Sequence, residues 1–201
     1  LIAKKYTDKI RYYSKENGGV SSALNLGIQV MKGKYFSWLS HDDVYLPHKI
    51  EDQVIHIQKI GDPDFISLCG FKLVDQSLVP LKRNASADLP SDTVISGEEI
   101  LNYMFKRGTL NGCALLIPKA AFERCGSFDE KLRFNQDSFM WYKMFLSGFS
   151  IIYTPEVGVF QRTHKEQATQ RGQSTFRNDC LYMSDYMMNA LTQHSGLFYS
   201  Y

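Results

Sequence analysis

The run KYFSWLS, residues 34–40, stops at two adjacent carboxylates, Asp42 and Asp43, and a helical pattern opens just beyond them. Aromatic and apolar residues in so short a stretch predict a buried strand, and Pro47 suits a first helical turn, where its missing N–H is no loss. The following HKIEDQVIHIQKIG carries Ile50, Val54 and Ile57 on one face. Upstream, Ile10 to Tyr13 reads as a short strand that turns at Asn17, Gly18 and Gly19. Between the two strands, VSSALNLGIQVMKG sets Val20, Ala23, Leu24, Gly27, Ile28 and Met31 at helical spacing and stops at Gly33. Strand, helix, strand in this order places Asp42 and Asp43 at the carboxyl end of a strand, where open α/β sheets bind ligands.

The rest of the chain continues the alternation. DFISLCGFKLVD predicts a strand turning through Gly70, EEILNYMFKRG a helix, Ala114 to Ile117 a strand, and the residues after Pro118 a short helix. NQDSFMWYKMFLSG reads as a helix closing at Gly148, and FSIIYTPEVGVFQRTHKE as two short strands around Pro155. STFRNDCLYMSDYMMNALTQHSG predicts a last helix with Leu181, Met188 and Leu191 among its apolar positions. Residues 76–97, with Pro80 and Pro90, form an irregular excursion that reads equally as a functional loop or a flexible one. The expected fold class is α/β, a mixed sheet flanked by helices.

Composition excludes several function classes. A formal net charge of +2 over 201 residues gives no bulk electrostatic case for nucleic-acid binding. Cys69, Cys113, Cys125 and Cys180 are widely spaced, which argues against a zinc module or a dense disulfide framework and for a reducing compartment. No stretch approaches the ~20 apolar residues of a membrane span, and LIAKKYTDKI lacks a signal peptide's apolar core.

Adjacent like charges repel unless water, a helix end or a cation stabilises them. One of Asp42 and Asp43 is explained as a helix cap, worth ~1 kcal/mol. The pair is explained equally well by a hard divalent cation, which takes one or two carboxylates together with phosphate oxygens. Asp137 lies in a first helical turn, so it is either simple helix electrostatics or a general base with Gln136 beside it. Arg162 and His164 follow a strand near Gln167, and together they suit diphosphate or metal binding.

ENGGVSSALNLGIQVMKGKYFSWLSHDDVYLPHKIEDQV resembles the nucleotide-binding half of the family 2 glycosyltransferases of GT-A fold. That family shows an Asn-x-Gly turn, an Ala-x-Asn-x-Gly-Ile helix, a Gly-x-Tyr/Phe strand and a DXD-type acidic motif. GCALLIPKAAFERCGSFDEKLRFNQDSFMWYKMFLSG is similar to the acceptor half, with its Gly-x-Phe-Asp-Glu turn and an acid–Asp pair entering a helix. FQRTHKEQAT resembles the closing Arg-x-His-x-x-Gln segment. Four motifs in the right order cover roughly residues 10–170.

The resemblance implies an inverting transfer of a sugar from a nucleotide-sugar donor to a hydroxyl of a saccharide or lipid-linked acceptor, in bacterial polysaccharide or glycoconjugate assembly. On it, Asp137 is the catalytic base; Asn17, Asn25, Asp42, Asp43, Arg162 and His164 serve the donor; Asn111, Gly112, Gln136 and Trp141 serve the acceptor. Asp42 and His164 would hold Mg²⁺ or Mn²⁺, and Trp141 reads more simply as core. A GT-A-like domain over 1–175 is expected, with a helical extension over 176–201. The resemblance further implies a cytoplasmic location with peripheral association at the inner membrane face open, and no nucleic-acid partner.

Three positions depart from the family pattern: Ser40 stands where an aspartate is common, Leu24 where an arginine is frequent, and Gln136 where the first acid of the pair lies. The family's opening strand–helix–strand unit also precedes the point where this sequence begins. Residues 1–201 alone are therefore expected to expose a sheet edge and to show weak activity, with edge pairing into a homodimer as one consequence. The alternative is a non-catalytic carbohydrate- or partner-binding domain on the same framework.

Overall fold

The computed structural model describes residues 2–62, 64–82, 87–164 and 173–193. Its centre is a mixed sheet of β1 (Tyr35–Phe36), β2 (Val44–Tyr45), β3 (Ile66–Val74), β4 (Val94–Ile95), β5 (Leu115–Pro118) and β6 (Ile151–Arg162). The strand order is β1-β5-β3-β6-β2, with β4 pairing the start of β6. Strands β3 and β6 run parallel at the centre, and the other pairs are antiparallel. The helices are α1 (Gly19–Val30), α2 (Lys49–Ile60), α3 (Gly97–Arg107), α4 (Lys119–Cys125), α5 (Gln136–Leu146) and α6 (Gln173–Gln193).

Several elements form for reasons local to their sequence. Helix α3 opens with a capping box, in which Ser96 accepts the N–H of Glu99 and the Glu99 carboxylate accepts the N–H of Ser96. Helix α2 has Glu51 and Asp52 in its first turn and ends at Gly61 (φ 79°), whose N–H returns to Ile57 and Gln58. The core gathers Ile66, Leu68, Ile151 and Tyr153 of the central strands with Ile100, Met104, Met140 and Met144 of α3 and α5. Phe36, Trp38, Phe122, Phe128 and Trp141 form one aromatic cluster within it.

The structure corrects the sequence reading in four places. Ile10–Tyr13 has no regular structure, and a 3₁₀ turn at Ile2–Tyr6 precedes it instead. The expected strand 34–40 shrinks to Tyr35–Phe36, because Ser37 onward leaves the ladder for other partners. The two strands around Pro155 are one strand, β6. There Cys69 pairs with Thr154 and Gly70 with Val157, so Pro155 and Glu156 are looped out as a bulge. Proline has no N–H to give the ladder, and a Cβ on Gly70 would lie 2.4 Å from the Pro155 carbonyl oxygen, so the bulge and the glycine require each other.

The fourth correction concerns α2. Its buried face is Lys49, Gln53 and Ile57, whereas Ile50 is exposed. The buried amide of Gln53 donates to Ser67 and to the Ala114 carbonyl, and Lys49 donates to Ser37 and the Leu115 carbonyl, so the polar face is satisfied by the sheet it covers. The expected domain boundary at 175 falls inside α6. That helix docks through Met183 against Leu132 and Phe139 and through the buried carboxylate of Asp179. Residues 194–196 of the expected last helix and 83–86 of the excursion lie outside the described residues.

Candidate active site

Three segments distant in sequence converge beyond the carboxyl end of β1: the loop 37–43, the turn Asn111–Ala114, and the end of β6. The loop turns through a hydrogen bond from the Asp43 N–H to the Ser40 carbonyl. Asp43 accepts the N–H of Arg162 at 3.0 Å, and Asp42 faces Nε2 of His164 at 3.2 Å. The motif pair expected from sequence to share a ligand is thus brought together. Both side chains of the Asp42–His164 pair keep 21% of their surface accessible, so an incoming ligand can reach them. Burial raises the Asp43 carboxyl above its ordinary range, opposed by the hydrogen bond from Arg162. Asp43 therefore fastens the loop to β6, and Asp42 is the carboxylate that meets His164.

A second layer supports the loop. The buried Lys49 ammonium donates to Ser37 Oγ at 2.9 Å, sits 4.4 Å over the Tyr45 ring, and is pushed down to about 8 by desolvation. The Tyr45 hydroxyl donates to the Trp38 carbonyl and contacts Ser37, and burial raises it well above its usual range. Asn111 joins the turn to β6 by donating to Gln161 Oε1 at 3.0 Å, while its own Oδ1 accepts the Cys113 N–H at 2.9 Å. Gly112 is required where it stands: a Cβ there would lie 2.6 Å from the Trp38 ring.

Asp137 opens α5. Ser138 donates to its Oδ1 through the backbone at 2.7 Å and through the hydroxyl at 3.4 Å, yet desolvation dominates and raises the carboxyl to about 6. Gln136 beside it is buried, and among the described residues its Oε1 has no hydrogen-bond partner. The loop before α5 is held from behind by Asp179, whose Oδ2 accepts the N–H groups of Arg133, Phe134 and Asn135.

Three expected residues have other work. Trp141 is 1% exposed and packed against Trp38 and Phe128, so it is core and offers an acceptor no surface. Asn25 donates to the Phe128 carbonyl and to Glu130 and accepts the Phe128 N–H, so its amide ties α1 to the Gly-Ser-Phe-Asp-Glu turn. Asn17 accepts the Gly19 N–H and lines a separate cleft of about 240 Å³ with Arg133 and Phe134. Gln167 lies outside the described residues. Cys113, Lys49 and Asp179 were missed, because a single cysteine, lysine or aspartate carries no local pattern and each acts over a long sequence separation.

Among the described residues no three or more His, Cys, Asp or Glu side chains gather as a metal cluster. Asp42 and His164 still suit a cation that takes two protein donors and completes its shell with diphosphate oxygens.

The family model described as glycosyl transferase family 2 matches residues 1–126. An uncharacterized glycosyltransferase of Rickettsia prowazekii is 44% identical over 170 residues, covering 84% of this chain and 52% of that protein. The minor teichoic acid biosynthesis protein GgaB of Bacillus subtilis is 48% identical over 42 residues, 21% of this chain and 5% of that protein. The crystal structure of S. aureus TarS 1-349 in complex with UDP-GlcNAc superposes with a TM-score of 0.64 at 16% identity, over 83% of this chain and 46% of that one. The chain thus spans about half the length of the Rickettsia prowazekii relative. The sheet order and flanking helices are those of a GT-A-like fold, and the chain belongs to glycosyl transferase family 2.

Proposed function

We propose that residues 1–201 supply the catalytic core of an inverting glycosyltransferase that moves a sugar from a nucleoside-diphosphate donor to a hydroxyl acceptor. The observation that carries this reading is the Asp42–His164 contact, which joins the acidic motif to the closing Arg-x-His motif beside the paired strands β2 and β6. Asp42 and His164 would hold a divalent cation, Mn²⁺ suiting the mixed oxygen and nitrogen donors, and when bound it would offset charge on the departing diphosphate. Arg162 orients the segment through its N–H on Asp43.

Asp137 accepts the proton of the acceptor hydroxyl as that oxygen bonds to the anomeric carbon from the face opposite the diphosphate. The anomeric C–O bond to phosphate breaks, its electron pair leaves with the nucleoside diphosphate, and the configuration inverts. A carboxyl raised to about 6 is ionised at neutral pH and remains more basic than an ordinary aspartate. Asn111, Gly112 and Gln136 are assigned to the acceptor in this scheme, and a saccharide or lipid-linked acceptor in bacterial polysaccharide or glycoconjugate assembly is supported by the similarity to the minor teichoic acid biosynthesis protein GgaB. Among the described residues no helix is long and apolar enough to cross a membrane.

The test is titration of the protein with UDP-, GDP- and dTDP-sugars, with and without Mn²⁺, read by thermal shift, followed by the anomeric configuration of any product. Stabilisation by one nucleotide only with the metal supports the reading. A folded protein indifferent to every nucleotide, or a product of retained configuration, removes it.

A further inference from the structure

The loop carrying Asp42 and Asp43 has little regular structure of its own, so something outside it must fix its path. Besides the bonds of Ser37, Trp38 and Asp43 given above, its middle is fixed on a sulfur atom. Trp38 Nε1–H donates to Cys113 Sγ at 3.1 Å, and the Ser40 N–H donates to the same sulfur at 3.4 Å. The thiol's own proton has Ser40 Oγ at 3.5 Å and the Asp43 carboxylate beside it as acceptors. Cys113 is 3% exposed, and its N–H is anchored by Asn111, so the sulfur is held from the turn side as firmly as it holds the loop. Gly112 lets this turn close directly on the Trp38 indole.

We propose that Cys113 is a positioning residue that orders the acidic loop through its sulfur, linking the acceptor-side turn to the donor-side carboxylates. The consequence for donor binding rests on the reading of Asp42 given above. Sulfur suits this place because its longer bond to Cβ and larger radius let one atom meet two N–H donors lying beyond 3 Å. A serine hydroxyl, on a bond about 0.4 Å shorter, would stand farther from both donors at the same side-chain rotamer. Ser40, at the position where the family commonly has an aspartate, is the residue held.

The test compares wild type, Cys113→Ala and Cys113→Ser by amide hydrogen exchange and by calorimetric titration with UDP in Mn²⁺. Cys113→Ala is expected to speed exchange of the Ser40 and Asp43 amides at least tenfold while α5 amides keep their rates, and to weaken UDP binding about tenfold. Cys113→Ser is expected to lie between the two on both measures. If the loop amides speed up but even wild type ignores UDP, the donor reading fails and the sulfur anchor stands. Unchanged loop exchange in Cys113→Ala, or an equal rise across the whole sheet in both variants, would overturn the proposal.

Discussion

The Ser138 backbone N–H donates to Asp137 Oδ1 at 2.7 Å, yet the carboxyl titrates at about 6, so desolvation outweighs a hydrogen bond that favours the anion. The folded state therefore binds this proton more tightly than the unfolded state, whose value is near 3.8. Stability from this group is fullest below pH 4, falls as pH rises to about 6, and stays low above, by about 1–3 kcal/mol. Asp137→Asn has no such fall. The variant should match wild type near pH 4, exceed it in thermal stability above pH 6, and lose transfer by at least about 10³-fold with donor affinity kept. In wild type, kcat/KM should rise with pH through about 6. Turnover retained in Asp137→Asn would remove it as base.

Asp42 and His164 face each other at 3.2 Å, and the proposal makes them one ligand set. Asp42→Ala and His164→Ala should each abolish the Mn²⁺-dependent part of nucleotide stabilisation, and the double variant should lose no more than either single. The wild-type gain is about 2.7 kcal/mol when nucleotide exceeds its Kd a hundredfold. Additive losses, measured by thermal shift, would show that the two residues act at separate places.

How far the sequence carried this reading depends on the range of the contacts involved. Helix α1, strand β3 and helix α5 were legible because periodicity and glycine stops are local signals. The continuity of β6 was not, since Pro155 breaks a strand locally and only the parallel partner β3 carries it past the bulge. Helix α2 showed an apolar stripe of Ile50, Val54 and Ile57, whereas the sheet offered acceptors to Lys49 and Gln53, and hydrogen bonding decided which face turned inward. At the site, the meeting of Asp42 with His164 was readable from motif order. The roles of Cys113 and Asp179 were not, because each depends on partners dozens of residues away.

Lys49 gives a second stability test. Desolvation lowers its ammonium to about 8 from 10.5, so the unfolded state binds the proton more tightly between those values. Its contribution is unfavourable below about pH 8 and relaxes as pH rises towards 10.5. Lys49→Met removes that dependence and also the bonds to Ser37 and the Leu115 carbonyl. The stability difference, wild type minus variant, should therefore grow by about 1–3 kcal/mol from pH 7 to pH 10 in urea unfolding. A difference independent of pH would mean that the lysine is not desolvated in the folded state.

Asp179 tests whether α6 belongs to the same unit as Asp137, the proposed base. Its carboxylate is 5% exposed and is met by three backbone N–H groups, from Arg133 at 2.9 Å, Phe134 at 2.8 Å and Asn135 at 3.4 Å. Those residues form the entry to α5, so the charge on α6 fixes the origin of the helix that presents Asp137. Asp179→Asn keeps the shape but replaces one acceptor oxygen with a donor NH₂, weakening charge-assisted bonds worth roughly 1.5–3 kcal/mol each. We expect a loss of about 2–4 kcal/mol in urea unfolding at pH 7, and a kcat reduced at least about tenfold while UDP affinity stays within about twofold. That split follows because the loop with Asp42 and Asp43, proposed to serve the donor, hangs on β6 and Cys113, whereas Asp137, the proposed base, hangs on α5. An equal fall in donor affinity and kcat would instead mean that α6 supports the whole domain without singling out α5.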